Sequence, residues 1–276
     1  MRHIPKQIQG FNGGGFSSQW TLNLDVGSVY KQIELITNLD NGQLTQVLVT
    51  LNGDSIVDVT GEELRMLEAY KRPSYTQGDG RFIIPFADFT MKTMEGQNMS
   101  QLVTKPDDNL TLTVKTAAAT AQQVTDSLVP ELRGIALLSS PYELVNGVER
   151  LIPRTVIPRL RSELVQAGAS GKNKYRNFPR GPRIRRMHIA SAAVTALEIK
   201  RNEITRYDDI LKADNDDWLT RMGREPQSGY YHFDAVATEF GIADALQTAG
   251  NSFEINPTVS SAGDLDTLFE TLEPAT

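Results

Sequence analysis

Histidine is the residue type whose spacing could most directly indicate chemistry here, because neutral imidazole binds metals and moves protons near neutral pH. The three histidines, His3, His188 and His232, lie far apart in the sequence. None stands in an H-x-H or H-E-x-x-H spacing, which would direct two imidazoles at one metal. A metalloenzyme of two cupin barrels would need clustered histidines and a glutamate in each barrel. We therefore predict that His188 and His232 are structural residues of strands.

Two segments imitate ligand-binding loops. Residues 167–173, A-G-A-S-G-K-N, resemble a phosphate-binding loop, but Gln166 and Asn173 stand where that motif needs Gly and Ser or Thr. Residues 213–217, A-D-N-D-D, could offer oxygen ligands to Ca²⁺, but the EF-hand glycine and closing glutamate are absent. We predict a flexible loop for the first segment and the polar face of a helix for the second.

Nucleophilic catalysis has no support in the sequence. There is no cysteine, which excludes thiolate catalysis, Cys-type zinc sites and disulfides, and there is no G-x-S-x-G elbow. Acid–base chemistry stays open in principle, because folding can bring any two carboxylates together. The sequence predicts no catalytic, cofactor-binding or metal-binding residue and no cofactor, and it favours a protein that is not an enzyme.

Length and composition describe a folded protein. The chain has 276 residues, with 39% hydrophobic and 22% charged residues, which is too apolar for intrinsic disorder. No apolar run approaches the ~20 residues of a membrane span, and the first residues lack a signal-peptide core. We expect a soluble protein of two domains, made inside a cell.

The net charge of −6 is unevenly distributed. Residues 150–186 hold eleven Lys or Arg against one acid, Glu163, which makes this segment +10 and the remainder −16. Such a segment can face phosphate groups or pair with an acidic face of a neighbouring copy, and a solvated basic loop is the third interpretation.

The hydrophobic pattern has a period of two. In residues 20–26, W-T-L-N-L-D-V, every second residue is apolar, as a strand with one buried face requires. The alternation recurs in residues 47–51, 110–114, 253–255 and 265–272. Gly, Asn, Asp and Pro separate these segments, which is typical of a sandwich or barrel. The pattern predicts a mostly β protein.

Two helices interrupt the strands. Thr60 and Glu63 can form a capping box before an apolar face, and Pro73 ends that helix. A similar but longer helix is predicted to open at Thr205 and to end at Gly223.

The order of the elements repeats along the chain, with two strands, a helix and further strands in each half. Corresponding positions have nearly constant offsets: 148 from Leu51 to Ile199, 145 from Thr60 to Thr205, 149 from Phe82 to Tyr231 and 143 from Leu110 to Phe253. The repeat predicts two copies of one β-rich domain, residues 1–125 and 126–276, joined near residues 117–149.

Two tandem β domains, each with a helix after its central hairpin, resemble a double jelly-roll major capsid protein. The similarity is to the corticovirus type, from tailless icosahedral bacteriophages with an internal lipid membrane. Its matches are residues 47–53, 61–72 and 94–103 in the first half, and residues 178–184, 187–190, 209–216 and 230–233 in the second.

This resemblance implies an all-β fold of two jelly rolls and a structural role. It implies homotrimers that form pseudo-hexagonal capsomers of an icosahedral virion, assembled in the host cytoplasm. The implied partners are further copies of the chain, minor capsid and vertex proteins, and the internal viral membrane, with no sequence-specific nucleic acid.

Two other classes remain open at this point. A carbohydrate-binding module of two β-sandwiches would use exposed aromatic residues near turns, for which Phe11, Trp20 and Tyr75 are candidates. A β-sandwich hydrolase would rest on carboxylates that the sequence does not discriminate.

The first fifteen residues are predicted to be an arm. They combine Arg2, His3 and Lys6 with the glycine-rich run of residues 10–15, and they show no strand alternation. If a membrane lies beneath the shell, Arg2 and Lys6 could reach its anionic headgroups.

Overall fold

The computed structural model describes residues 3–275, which contain twenty strands and four α-helices. The first half holds β1 (His3–Ile8), β2 (Gln19–Leu24), β3 (Val29–Thr37), β4 (Leu44–Leu51), β5 (Asp54–Val59), β6 (Arg81–Pro85), β7 (Leu102–Val103), β8 (Leu110–Thr116) and β9 (Leu132–Ser139). The second half holds β10 (Tyr142–Val145), β11 (Val148–Leu151), β12 (Val156–Ala167), β13 (Gly171–Lys172), β14 (Arg183–Ala190), β15 (Val194–Arg201), β16 (Ile204–Leu211), β17 (Tyr231–Asp234), β18 (Leu246–Gln247), β19 (Phe253–Val259) and β20 (Gly263–Pro274). The helices are α1 (Gly61–Lys71), α2 (Met94–Asn98), α3 (Ala121–Thr125) and α4 (Lys212–Arg221).

Each half is built from two sheets with the same strand order. The first half pairs its strands as β2-β8-β4-β5 and as β1-β9-β3-β6, with β7 also on β3. The second half pairs them as β13-β19-β15-β16 and as β12-β20-β14-β17, with β18 also on β14. The correspondence is one strand to one strand, and it confirms the fold predicted from the repeat, a double jelly roll.

The correspondence extends to local irregularities. In the first half a bulge at Lys31 interrupts the pairing of β3 with β9, and in the second a bulge at Arg185 interrupts that of β14 with β20. Both bulged residues are buried bases. Because a bulge shifts every later pair of a ladder, these two positions fix the alignment of the halves residue by residue.

The first helix forms as predicted. The Thr60 hydroxyl accepts a hydrogen bond from the backbone N–H of Glu63, whose carboxylate accepts from the N–H of Thr60. Leu64, Leu67 and Tyr70 are fully buried on its inner face. The residue that follows the helix is Arg72, directly before Pro73.

The second helix begins seven residues later than predicted. Thr205 lies in β16, opposite Lys200 of β15, and α4 opens at Lys212. The Thr205–Asp208 spacing imitates a capping box, but the strand ladder satisfies this backbone instead. With this correction α1 and α4 follow equivalent hairpins, β4–β5 and β15–β16, at an offset of 151 from Gly61 to Lys212.

The predicted division after residue 125 is also corrected. Strand β9 follows that point, yet it pairs with β1 and β3 of the first half, as β20 pairs with β12 and β14 of the second. We therefore place the division between Ser139 and Val156. The exposed β10–β11 hairpin fills that interval, with a turn at Asn146–Gly147.

The N-terminal residues do not form the predicted arm. Met1 and Arg2 lie outside the described residues, but His3–Ile8 is β1, which pairs antiparallel with β9 over six residue pairs. Its lack of alternation has a physical reason: β1 is an edge strand, and only Ile8 among its residues is buried. Strand β1 is the counterpart of β12.

The two halves share their apolar interior. The larger core cluster is built mainly on first-half residues, but it includes Leu160, Leu219, Ala237 and Leu268 from the second half. A separate cluster around Phe178, Met187 and Phe269 fills the second roll. Among residues 3–275, no helix has the length and apolar character needed to cross a bilayer.

Candidate functional site: the contact between the two jelly rolls

One continuous sheet joins the two rolls. Strand β5 of the first roll lies parallel to β12 of the second, with Val57 opposite Leu160 and Asp58 opposite Arg161. Arg159 adds a hydrogen bond from its guanidinium to the backbone carbonyl of Ser55 at 2.6 Å. The result is a nine-stranded sheet that contains strands from both rolls.

Beside this sheet lies a buried network of charged side chains, centred on Arg186. Arg186 has no exposed surface, and its guanidinium lies 2.7 Å from Asp88, 2.9 Å from Asp234 and 3.4 Å from Glu270. Lys71, at the end of α1, reaches Glu270 at 2.8 Å. Lys71 and Asp88 belong to the first roll and the other three residues to the second, so the network crosses the contact.

Two more arginines complete the network. Arg185 lies 2.5 Å from Asp88, and Arg224 lies 3.2 Å from Asp234 and 3.1 Å from Glu239. Four bases thus meet four carboxylates, of which Glu239 alone is partly exposed. The bases are Lys71, Arg185, Arg186 and Arg224, and the acids are Asp88, Asp234, Glu239 and Glu270.

The pKa directions of Asp88 and Glu270 favour their ionised forms, whereas burial lowers the pKa of Lys71 against the opposing effect of Glu270. Burial alone raises the pKa of Asp88, but Arg186, Arg185 and Lys71 outweigh burial and hold that pKa well below its ordinary value. The pKa of Glu270 is likewise raised by burial and then held well below its ordinary value, chiefly by Lys71 and Arg186. Removing one member leaves a buried charge without compensation.

His188 of β14 and His232 of β17 are adjacent in this network. Their Nδ1 atoms are 2.7 Å apart. Because Nε2 of His232 accepts the backbone N–H of Gln227 at 2.9 Å, its ring proton lies on Nδ1 and is donated to His188. His188 therefore carries its own proton on Nε2, which faces Glu270 at 3.5 Å.

Both imidazoles are neutral in this arrangement. Burial, followed by the neighbouring His188, lowers the pKa of His232 to about 2. Burial also lowers the pKa of His188, against the opposing effect of Glu270. Tyr70 of α1 stacks on the His232 ring at 4.5 Å between centroids and donates a hydrogen bond to Asp234 at 3.2 Å. The stacking of Tyr70, from the first roll, on His232, from the second roll, thus joins the two rolls.

The prediction that His188 and His232 are strand residues is confirmed, but their contact could not be read from a spacing of 44 residues. His3 lies elsewhere, against the ring of Phe89. Over residues 3–275, no group of three or more His, Cys, Asp or Glu side chains is arranged to hold a metal ion.

The two segments that resemble ligand-binding loops, residues 167–173 and 213–217, have structural roles. Lys172, which could have suggested a phosphate ligand, forms ion pairs with Glu198 and Asp209. In α4, Asp216 pairs with Lys212 and the buried Asn215 donates to the backbone carbonyl of His232 at 2.7 Å. Asn215, Asp216 and Asp217 thus contact protein groups, Asp217 through Arg221, and the segment lies on a helix as predicted.

The basic segment of residues 150–186 is largely ion-paired within the chain. Seven of its eleven bases form ion pairs with carboxylates of the same chain: Arg154, Arg159, Arg161, Lys172, Arg176, Arg185 and Arg186. Six of the eleven bases lie on β12, β13 and β14, so the interpretation as a solvated loop is wrong for these six.

The three aromatic residues considered for carbohydrate binding do not form one exposed surface. Trp20 is buried in the core and donates its indole N–H to the carbonyl of Gly15. Phe11 packs against the same core, and Tyr75 is exposed.

Sequence reasoning did not single out the charged network. Its one signal was the run R-I-R-R-M-H-I-A of β14, in which consecutive charged residues interrupt a strand that is otherwise apolar. Buried charges of this kind require partners, but the sequence does not say where the partners come from.

Two family models match the chain in the order of its two rolls. The viral coat protein P2 N-terminal domain matches residues 5–139, and the viral coat protein P2 C-terminal domain matches residues 157–275. The chain belongs to the viral coat protein P2 family. The residues between the two matches include the β10–β11 hairpin.

Solved structures of viral capsid proteins have the same fold. The major capsid protein P2 from bacteriophage PM2 aligns with a TM-score of 0.84 at 18% identity, over 100% of this chain and 98% of that one. A chain of Sulfolobus Turreted Icosahedral Virus aligns with a TM-score of 0.67 at 12% identity, over 99% and 91%. A chain of the PBCV-1 virus capsid aligns at 0.59 and 9%, over 99% and 95%. No curated protein matches in sequence.

We predict that Arg186→Met destabilises this coat protein by about 3–5 kcal/mol, because three buried carboxylates lose their shared cation. Arg221→Met is the matched control, since Arg221 pairs with Asp217 on the exposed face of α4 and its loss costs at most about 1 kcal/mol. Urea denaturation followed by circular dichroism measures both. Equal midpoints for the two variants would contradict the network's role.

Stability should also fall between pH 6.5 and pH 5 because of the histidine pair. The folded state holds both imidazoles neutral, while the unfolded chain takes up protons below the ordinary pKa of 6.5, so acid favours unfolding. His232, whose pKa is lowered to about 2 in the folded state, contributes up to about 1.4 kcal/mol per pH unit in this window. His232→Gln should reduce the slope by about that amount, and His3→Gln by less. Identical slopes for wild type and His232→Gln would refute the assignment.

Proposed function

We propose that this coat protein forms homotrimers in which six jelly rolls make one pseudo-hexagonal capsomer of an icosahedral shell. The observation that carries the proposal is the double roll itself: two rolls of identical strand order, joined by a continuous sheet and a balanced buried ion network. Such a chain behaves as one rigid unit of two similar tiles. Three units then supply the six similar tiles of a hexagonal array.

The proposed role is structural rather than catalytic. The ionised groups in the roll contact face one another and are buried, so they serve the contact and do not face a substrate. Closing two antiparallel sheets over one another also protects most strand edges, which allows many copies to be concentrated in a shell without uncontrolled pairing. A substrate-dependent turnover that one carboxylate variant abolishes would replace this proposal with an enzyme.

The proposed location is the capsid shell of a virion assembled in the host cytoplasm. Neighbouring capsomers, minor capsid proteins and vertex proteins are the proposed partners. Electron microscopy of the native source material tests this directly: icosahedral particles that contain this chain support the location, and their absence refutes it.

For the solution state we expect a trimer of about 92 kDa, three times 30.6 kDa. Light scattering coupled to size exclusion measures this mass without a shape assumption. A monomer over a wide range of concentrations would overturn the homotrimer.

The N-terminal residues are proposed to touch an anionic membrane beneath the shell. Lys6 pairs with Asp25 in the folded chain, so the attraction falls mainly to Arg2, at about 1 kcal/mol per base near the surface. Many copies on one vesicle are needed for firm binding. Trimers should co-sediment with anionic vesicles at low salt, and Arg2→Ala should weaken this. Unchanged co-sedimentation would exclude the N-terminal contact.

A further inference from the structure

The contact between the two rolls is heterologous, because it uses different faces of two similar domains. The first roll contributes the outer edge of β5, and the second contributes the outer edge of β12. A head-to-tail contact of this kind leaves the complementary face of each roll unused at the two ends of the chain. Repetition of the same contact between chains produces a ring when the rotation closes.

The unused faces are the edges of β16 and β1. Strand β16 is the counterpart of β5, and β1 is the counterpart of β12. Each is the last strand of its sheet, and across residues 3–275 neither pairs with a strand on its outer side. Most of their residues are exposed, including Ile4 at 52% and Ile204 at 56%.

We infer that β1 of one chain lies parallel to β16 of the next chain and repeats between chains the β5–β12 contact that exists within each chain. The inference rests on the proposed homotrimer and names the strands that form its interface. A second copy of this chain is the partner.

The alignment of the two rolls sets the register on the β1 side. The bulges at Lys31 and Arg185 align Gln32 with Arg186, and these residues lie opposite Leu137 and Glu270. Leu137 of β9 therefore corresponds to Glu270 of β20.

The next strand outward follows the same alignment. Pro5 lies opposite Leu137, as Leu160 lies opposite Glu270. Pro5 and Lys6 therefore correspond to Leu160 and Arg161.

The hairpins set the register on the β16 side. Val57 lies opposite Val49, and Tyr207 lies opposite Ile199 at the equivalent point of the second hairpin. Asp208 directly follows Tyr207, as Asp58 directly follows Val57, and we take it as the counterpart of Asp58. The second hairpin carries a further bulge just beyond this point, between Tyr207 and Ile210. The inferred contact places Pro5 of one chain opposite Tyr207 of the next, and Lys6 opposite Asp208.

Charge complementarity supports this register. Within the chain, the base Arg161 lies opposite the acid Asp58 in the strand register, while their side chains contact Glu273 and Gln46. Between chains, the base Lys6 lies opposite the acid Asp208. In both contacts the base lies on β12 or its counterpart β1, and the acid lies on β5 or its counterpart β16. Lys6 and Asp208 are both exposed, and Lys6 also contacts Asp25 of its own chain.

The remainder of the interface is not a copy of the buried ion network. The first-roll positions that correspond to Glu270, Arg186 and Asp234 hold Leu137, Gln32 and Pro85, which carry no charge and are half-buried. This difference is physically reasonable. A face exposed before assembly would need to strip water from unpaired charges, whereas the contact within the chain forms once with its partners present.

Both outer strands carry a proline near the contact: Pro5 stands at the position of Leu160 in β1, and Pro158 precedes Leu160 by two residues in β12. Neither proline has a backbone N–H to donate to a neighbouring strand. An edge proline also limits pairing with strands of the wrong partner.

Paired cysteines test the register, since the chain has none of its own. Adjacent strands lie about 4.8 Å apart, within disulfide range. Oxidised Lys6→Cys/Asp208→Cys should run as covalent trimers on a non-reducing gel. The matched control, Gln7→Cys/Asp208→Cys, moves one thiol to the other face of β1. It should give about tenfold less covalent trimer.

The outcomes separate this inference from the proposed homotrimer. A trimer by light scattering without cross-linking, or with equal cross-linking in both variants, overturns the β1–β16 contact and leaves the homotrimer standing. Monomers before oxidation overturn both.

A charge exchange gives a second readout that needs no disulfide. Lys6→Glu should weaken the trimer about fivefold, and Lys6→Glu/Asp208→Lys should restore it. Failure of the second change to restore assembly would count against the pairing of these two residues.

Discussion

The structure depends on the burial of Arg186 between two jelly rolls. A guanidinium with no access to water is tolerated only if carboxylates surround it, and its carboxylates come from both rolls: Asp88 from the first, Asp234 and Glu270 from the second. Separation of the rolls would take Asp88 away from Arg185 and Arg186, and Lys71 away from Glu270. The ion pairs that cross the contact therefore stabilise the two similar domains against separation.

The contact between the rolls explains why the two copies of the internal repeat differ in their surfaces. The two rolls have one strand order and equivalent bulges, yet their surfaces differ where the chain needs them to differ. The face that is always covered carries charged residues such as Glu270, while its counterpart carries Leu137 and Pro85, which suit a surface exposed before assembly. The two rolls therefore share one fold while they differ in the charge of the equivalent faces.

Much of the fold could be predicted from local patterns. Alternation of apolar residues located the strands from Trp20 onward, and the Thr60–Glu63 capping box located α1, because both signals lie within a few residues and act through nearby backbone groups. The same locality explains the errors. The Thr205 spacing imitates a cap, yet the pairing of β16 with β15 prevails. Strand β1, an edge strand, shows no alternation and was predicted to be an arm.

The sequence by itself determined the β-rich character, the tandem repeat and the resemblance to double jelly-roll coat proteins, since these depend on periodicity and on the order of short segments. Only the tertiary structure decided which residues meet. His188 and His232, 44 residues apart, share a hydrogen bond, and Lys71 pairs with Glu270 across 199 residues. Sheet pairing brings such residues together, and it depends on the register of distant strands, which no local pattern records.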